Sequence, residues 1–146
     1  MIVTDASFWV SALLARDVHH GEAETLLRRM AEEEIPVVAP AFAIIEVAGA
    51  LVRRTQDRVA AARTVLHLQQ QPWLTLVPMT VAFAEVAANL AIACALRGAD
   101  AIYVALARQE GLPLITRDAE IIQRGAAAVL VMTPTDWLRQ NPEAEA

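Results

Sequence analysis

The chain has 146 residues, of which 56% are apolar, and a formal net charge of −5. This length suits one domain with a sizeable core, and the acidic balance excludes a broad nucleic-acid-binding face. No apolar run reaches the roughly 18 residues of a membrane span, and no basic segment precedes the first apolar residues as in a secretory signal. All 12 basic side chains are arginines. Without lysine the chain has no Walker A loop, no Schiff-base chemistry and no phospho-receiver site. Cys94 is the only cysteine, which excludes an internal disulfide and fits a reducing, cytoplasmic compartment. His19, His20 and His67 lack a cysteine pair, which argues against structural zinc.

In chain order, residues 2–5 read as a short buried strand and 7–14 as a first helix. Asp17 is expected to cap a second helix, in which Ala23, Leu26, Leu27 and Met30 recur at helical spacing as far as Glu34. Pro36 breaks that helix, 37–39 form a second strand, and 42–54 a third helix. Asp57 caps a fourth helix with Val59, Ala62, Val65 and Leu66 on one face, ended by Pro72. A third strand covers 74–77. Thr80 starts a long alanine-rich helix that runs to Gly98, and 101–108 form another, ended by Gly111. Strands at 114–116 and 128–131 follow, and Thr133, Pro134, Thr135 and Asp136 open a last helical turn. Residues 1–140 are expected to form one domain, with 141–146 a polar tail. Short apolar strands alternating with helices call for an α/β fold with a mostly parallel, five-stranded sheet covered on both faces. The apolar excess beyond that core is expected to form a protein interface.

Four acidic residues stand in apolar surroundings. Asp5 ends the opening strand, Glu46 interrupts the third helix, Asp100 opens the run 101–107, and Asp118 closes 113–117. A buried unpaired carboxylate costs several kcal/mol, roughly the scale of the whole stability margin. Taken singly, Asp5, Asp100 and Asp118 read as helix caps. Glu46 does not, because its helix and its neighbours are apolar. Asp5 and Asp118 fall at the carboxyl ends of strands, where sites form in parallel sheets. Asp100 falls at a helix N-terminus, which favours negative charge. From Glu46 a stripe continues through Ala50 and Arg53. Convergence of the four around a divalent cation explains them together. Carboxylates without His or Cys select hard ions, so Mg²⁺ or Mn²⁺ is expected. Glu85 is left out, because the first turns of its helix explain it. Arg53, Arg54, Arg58 and Arg63 read as a solvated face, and Trp9, Trp73 and Trp137 as core or interface.

These residues carry a family resemblance over nearly the whole length. Residues 3–7, 45–47, 99–102 and 114–118 resemble the acidic motifs of PIN-domain nucleases, and more narrowly those of VapC-type toxins of type II toxin–antitoxin pairs. His20 with Ala23, and Thr133 with Pro134, are similar to further family features, and no acidic position departs from the pattern. The resemblance implies a PIN-like α/β/α sandwich and metal-dependent hydrolysis of RNA that leaves a 5′-phosphate. It implies Asp5, Asp100 and Asp118 as direct or water-bridged ligands, and Glu46 as a ligand or as the base that orients the attacking water. Thr116 and Ser7 are expected to hydrogen-bond a carboxylate or a ligand water. A cognate antitoxin and a homodimer are the partners implied; a membrane is not. The alternative is a catalytically inactive PIN-fold binding module, disfavoured by the complete acidic set. A haloacid-dehalogenase-like phosphatase needs an aspartate where Ser7 stands.

Overall fold

Five short apolar runs pair into one sheet in the computed structural model, which describes residues 1–142. They are β1 (Ile2–Thr4), β2 (Val37–Pro40), β3 (Leu74–Val77), β4 (Leu114–Ile115) and β5 (Val131–Met132). The order is β3-β2-β1-β4-β5, and every neighbouring pair is parallel. The three central strands are buried throughout, whereas edge strand β3 exposes Thr75. That is the pattern of a parallel sheet covered on both faces. Eight helices flank it among the described residues: α1 (Ala6–Leu13), α2 (His20–Glu32), α3 (Phe42–Thr55), α4 (Arg58–Gln69), α5 (Val81–Cys94), α6 (Gly98–Glu110), α7 (Ala119–Arg124) and α8 (Pro134–Gln140). The result is an α/β/α sandwich.

Small residues let α6 lie close on the sheet. Ala101, Ala105 and Ala107 are buried with Val104 and Leu106, and the helix packs against β1 and β2. Each fully buried aliphatic side chain such as Leu106 or Ile115 contributes about 1.5–3 kcal/mol. Trp9 stacks on Trp73 with ring centroids 6.1 Å apart, so both belong to the core, as does Trp137. Trp137 also carries the buried Arg29 guanidinium of α2 over its ring. Arg29 donates to the carbonyl of Asn141, which ties the end of α8 to α2. Residues 143–146 of the expected tail lie outside the described residues.

Several local expectations are corrected. Asp17 does not cap α2; His19 is the N-cap residue, and Asp17 instead accepts from the His19 N–H and pairs with Arg54 at 2.7 Å. The inner face of α4 is Ala61, Val65 and Leu68, while Val59 and Leu66 are exposed. In an alanine-rich helix the larger apolar residues do not by themselves mark the buried side. The long helix stops at Cys94, because Ala95 takes the left-handed conformation (φ 51°) that usually falls to glycine. Gly98 therefore begins α6 and does not end α5. The fifth strand lies later than expected, because a 3-10 turn occupies Gly125–Ala127. Among the described residues no single helix is long and apolar enough to cross a membrane. Only α5 and α6 together reach that length, across a bend of 109°.

Candidate active site

Strands β1 and β4 pair in the register Val3–Leu114 and Thr4–Ile115. From β1 the chain builds the sheet first to one side, through β2 and β3, and then to the other. Such a switch point opens a crevice at the carboxyl ends of the strands. Asp5 and Thr116 are the residues that leave the two strands there.

Asp5 is 2% exposed and caps α1, accepting the Phe8 N–H at 3.0 Å. Thr116 Oγ1 donates to it at 2.5 Å, and Ser7 Oγ lies 2.8 Å from both carboxylate oxygens. Each hydroxyl is itself fixed from behind. Thr116 accepts the Asp118 N–H at 2.9 Å, and Ser7 accepts the Arg117 N–H at 2.8 Å. Both expected supporting residues thus hold Asp5 in place. Burial nevertheless pushes the Asp5 carboxyl up to about 6, with a small contribution from nearby Asp118, against the lowering effect of those hydrogen bonds.

Asp100 lies in the first turn of α6 and is 7% exposed. Burial raises its carboxyl above the usual range, opposed by Arg97, whose Nε stands 2.8 Å away. Asp118 caps α7 through Oδ1, at 2.8 Å from the Glu120 N–H and 3.1 Å from that of Ile121. Its Oδ2 accepts from Arg97 at 3.0 Å. Glu46 is half-buried on α3, with a short hydrogen bond to Oε2 from the Tyr103 hydroxyl of α6. Burial, and then this bond, keep the Tyr103 hydroxyl protonated far beyond its ordinary range. All four acids line one cavity of about 240 Å³, with Arg97 and Tyr103 in its wall. Capping and a place in the cavity are therefore not alternatives, since Asp5 and Asp118 each cap a helix and line the cavity. Glu85 is exposed and takes no part in the cavity.

Three residues of this cluster escape a sequence reading. Arg97 bridges Asp100 and Asp118 and also lies 2.7 Å from Glu120. Tyr103 positions Glu46. The available signals are weak: Arg97 and Tyr103 each stand three residues from Asp100, on the same helical side, and Glu120 stands two beyond Asp118. Among the described residues no three carboxyl, imidazole or thiol groups already stand as a metal-coordinating set. Arg97 engages two of the acids and Tyr103 a third. The donor chemistry fits a hard divalent cation all the same. Four carboxylates face one cavity, and Asp5 is buried with no cationic partner among the described residues.

A larger cavity of about 710 Å³ continues from Ser7, Glu46 and Asp118 along α1 and α3 to Arg53, Arg54 and Arg117. Arg53 folds back over Gly49, where an added Cβ would meet its Nη1 at 3.2 Å. Arg54 is paired with Asp17, and Arg117 with Glu22 at 3.2 Å.

The PIN domain family model matches residues 2–127. The chain belongs to the PIN domain family. PIN domains are nucleases, and the four acids singled out in the sequence line the cavity at the switch point. Solved structures share the PIN fold. One is VapC20 of Mycobacterium tuberculosis, described as a sarcin-ricin loop cleaving toxin, with 23% identity and a TM-score of 0.73 over 89% of this chain and 97% of that one. Another is PAE2754 of Pyrobaculum aerophilum, with 19% identity and a TM-score of 0.70 over 95% and 93%. A third is a toxin–antitoxin complex of Klebsiella pneumoniae, with 20% identity and a TM-score of 0.64 over 92% and 98%. Among curated proteins, no sequence matches this chain.

Proposed function

We propose that this PIN domain is a metal-dependent endoribonuclease, the toxin of a type II toxin–antitoxin pair. One observation carries the reading: Asp5, Glu46, Asp100 and Asp118, distant in sequence, meet on a single cavity at the β1/β4 switch point. Asp5, Asp100 and Asp118 would hold Mg²⁺ or Mn²⁺, directly or through water, with Glu46 as a further ligand or as the base. The ion would supply a more acidic water and neutralise charge that builds on the phosphate. In the hydrolysis, the water oxygen bonds to phosphorus and the P–O3′ bond breaks. The 3′-oxygen leaves as a hydroxyl, and a 5′-phosphate remains. Tyr103 occupies Glu46 Oε2, which leaves Oε1 to bind the ion or to take the water's proton. Thr116 and Ser7 keep Asp5 from rotating.

A nuclease of this kind harms its host unless it is restrained, so we assign it an antitoxin partner and a cytoplasmic setting. The likeness to VapC20 and to the Klebsiella complex supports RNA as substrate and an antitoxin as partner. An antitoxin arginine would pair with the acidic cavity, and apolar side chains of its tail would rest on half-buried Leu13, Leu14 and Val52. Leu51 offers nothing to such a tail, since it is buried in the core. The outer face of α5, with Val81 and Ile92 exposed, suits a homodimer contact. Co-expression with a neighbouring short reading frame should yield an inactive complex.

The test is a set of single changes, Asp5→Asn, Glu46→Gln, Asp100→Asn and Asp118→Asn. Each should lower RNA cleavage by about a hundredfold or more, the scale of losing a positioned catalytic group. Glu85→Gln should leave it unchanged. Full activity in any two of the four variants sinks the assignment.

A further inference from the structure

The acidic cavity already contains a cation of its own. Arg97 precedes α6 as its N-cap residue, and its guanidinium reaches three carboxylates on two helices and their caps: Asp100 at 2.8 Å, Asp118 at 3.0 Å and Glu120 at 2.7 Å. Two of the three are assigned above to the metal. The Arg97 side chain is 62% exposed, so charge and not packing holds it there. A divalent ion at Asp100 and Asp118 competes for the same Oδ2 atoms and brings twice the charge. A displaced guanidinium stays tethered at the cavity mouth by its own backbone and by Glu120. Its planar fork matches phosphate oxygens.

We propose that Arg97 is an exchangeable counter-ion, which holds Asp100 and Asp118 while the metal is absent and turns to a phosphate of the bound RNA once the metal takes them. The proposal rests on the nuclease reading of this cavity. It makes Arg97 a substrate-binding residue that resists metal binding in the free protein.

Two measurements without turnover test it. In the first, Mn²⁺ is titrated calorimetrically into wild-type, Arg97→Gln and Arg97→Lys proteins in the absence of RNA. Arg97→Gln should bind Mn²⁺ roughly three- to tenfold more tightly, the scale of releasing an exposed ion-pair network. Arg97→Lys, which keeps the charge but loses the fork, should fall between. In the second, single-stranded RNA is bound to Mn²⁺-saturated Glu46→Gln protein with and without Arg97→Gln. The added change should weaken RNA binding by about tenfold, as expected for one lost charge-assisted phosphate contact. Equal or weaker Mn²⁺ binding by Arg97→Gln overturns the proposal, and so does equal RNA binding; both leave the nuclease reading standing. If Arg97→Gln does not fold, Arg97→Lys decides, and Mn²⁺ binding equal to wild type overturns the proposal. If no variant and no wild-type protein binds Mn²⁺, the nuclease reading fails and the proposal fails with it.

Discussion

At the scale of single residues, Asp5 sets the electrostatic character of the site. Its carboxyl titrates near 3.8 when unfolded and at about 6 in the folded protein, because burial penalises its charge. The sign follows. Between those values the folded state holds a proton that the unfolded state has released, so stability falls as pH rises through this window. Above about pH 6 the cost is complete, roughly 3 kcal/mol. Chelator-treated protein should therefore unfold at lower urea concentration at pH 7 than at pH 5, and Asp5→Asn should remove most of that difference. An identical pH profile in the two proteins contradicts this account of Asp5. The four acids are legible in the sequence because carboxylates interrupting apolar runs are costly and need a reason. Arg97 is not legible, because an arginine before a helix is ordinarily solvated. Only the fold shows that Asp118 and Glu120 come within reach of its guanidinium.

At the scale of elements, the site depends on how α6 meets α3. Tyr103 and Glu46 join the two helices by one hydrogen bond, from a buried tyrosine to a half-buried glutamate. Tyr103→Phe keeps the ring in the core and removes that bond together with the hydroxyl's contact to the Ala6 backbone. If Glu46 serves the proposed metal site, kcat for RNA cleavage should fall by about tenfold or more, the scale of losing a group that orients such a carboxylate, with little change in melting temperature. Unchanged kcat contradicts the positioning role. The caps Asp57, Thr80 and Thr133 are readable in the sequence because each side chain accepts a backbone N–H of its own first turn. The end of α5 is not readable, because Ala95 does what glycine normally signals. That single substitution of roles moves the start of α6 back to Gly98 and places Asp100 inside its first turn. The alternation of strands and helices is legible throughout. The strand order is not, because pairing depends on contacts between segments far apart in the chain.

At the scale of the whole molecule, the cavity is assembled from the ends of β1 and β4 and from α3, α6 and the cap of α7, so no local segment carries it. A cation that binds only the folded arrangement would add to stability by mass action, and at the proposed site it would do so by offsetting the charge that burial makes costly at Asp5. Folding and the proposed chemistry would then be linked through the same carboxylates. The most direct measurement is end-group analysis of RNA incubated with the protein in Mg²⁺ or Mn²⁺ and, separately, in chelator. The account predicts cleavage only with the cation, products that carry a 5′-phosphate and a 3′-hydroxyl, and no products from Asp5→Asn. Cleavage that persists in chelator, or products that end in a 2′,3′-cyclic phosphate, would show that RNA's own hydroxyl and not a water held at these carboxylates is the nucleophile, and would contradict it.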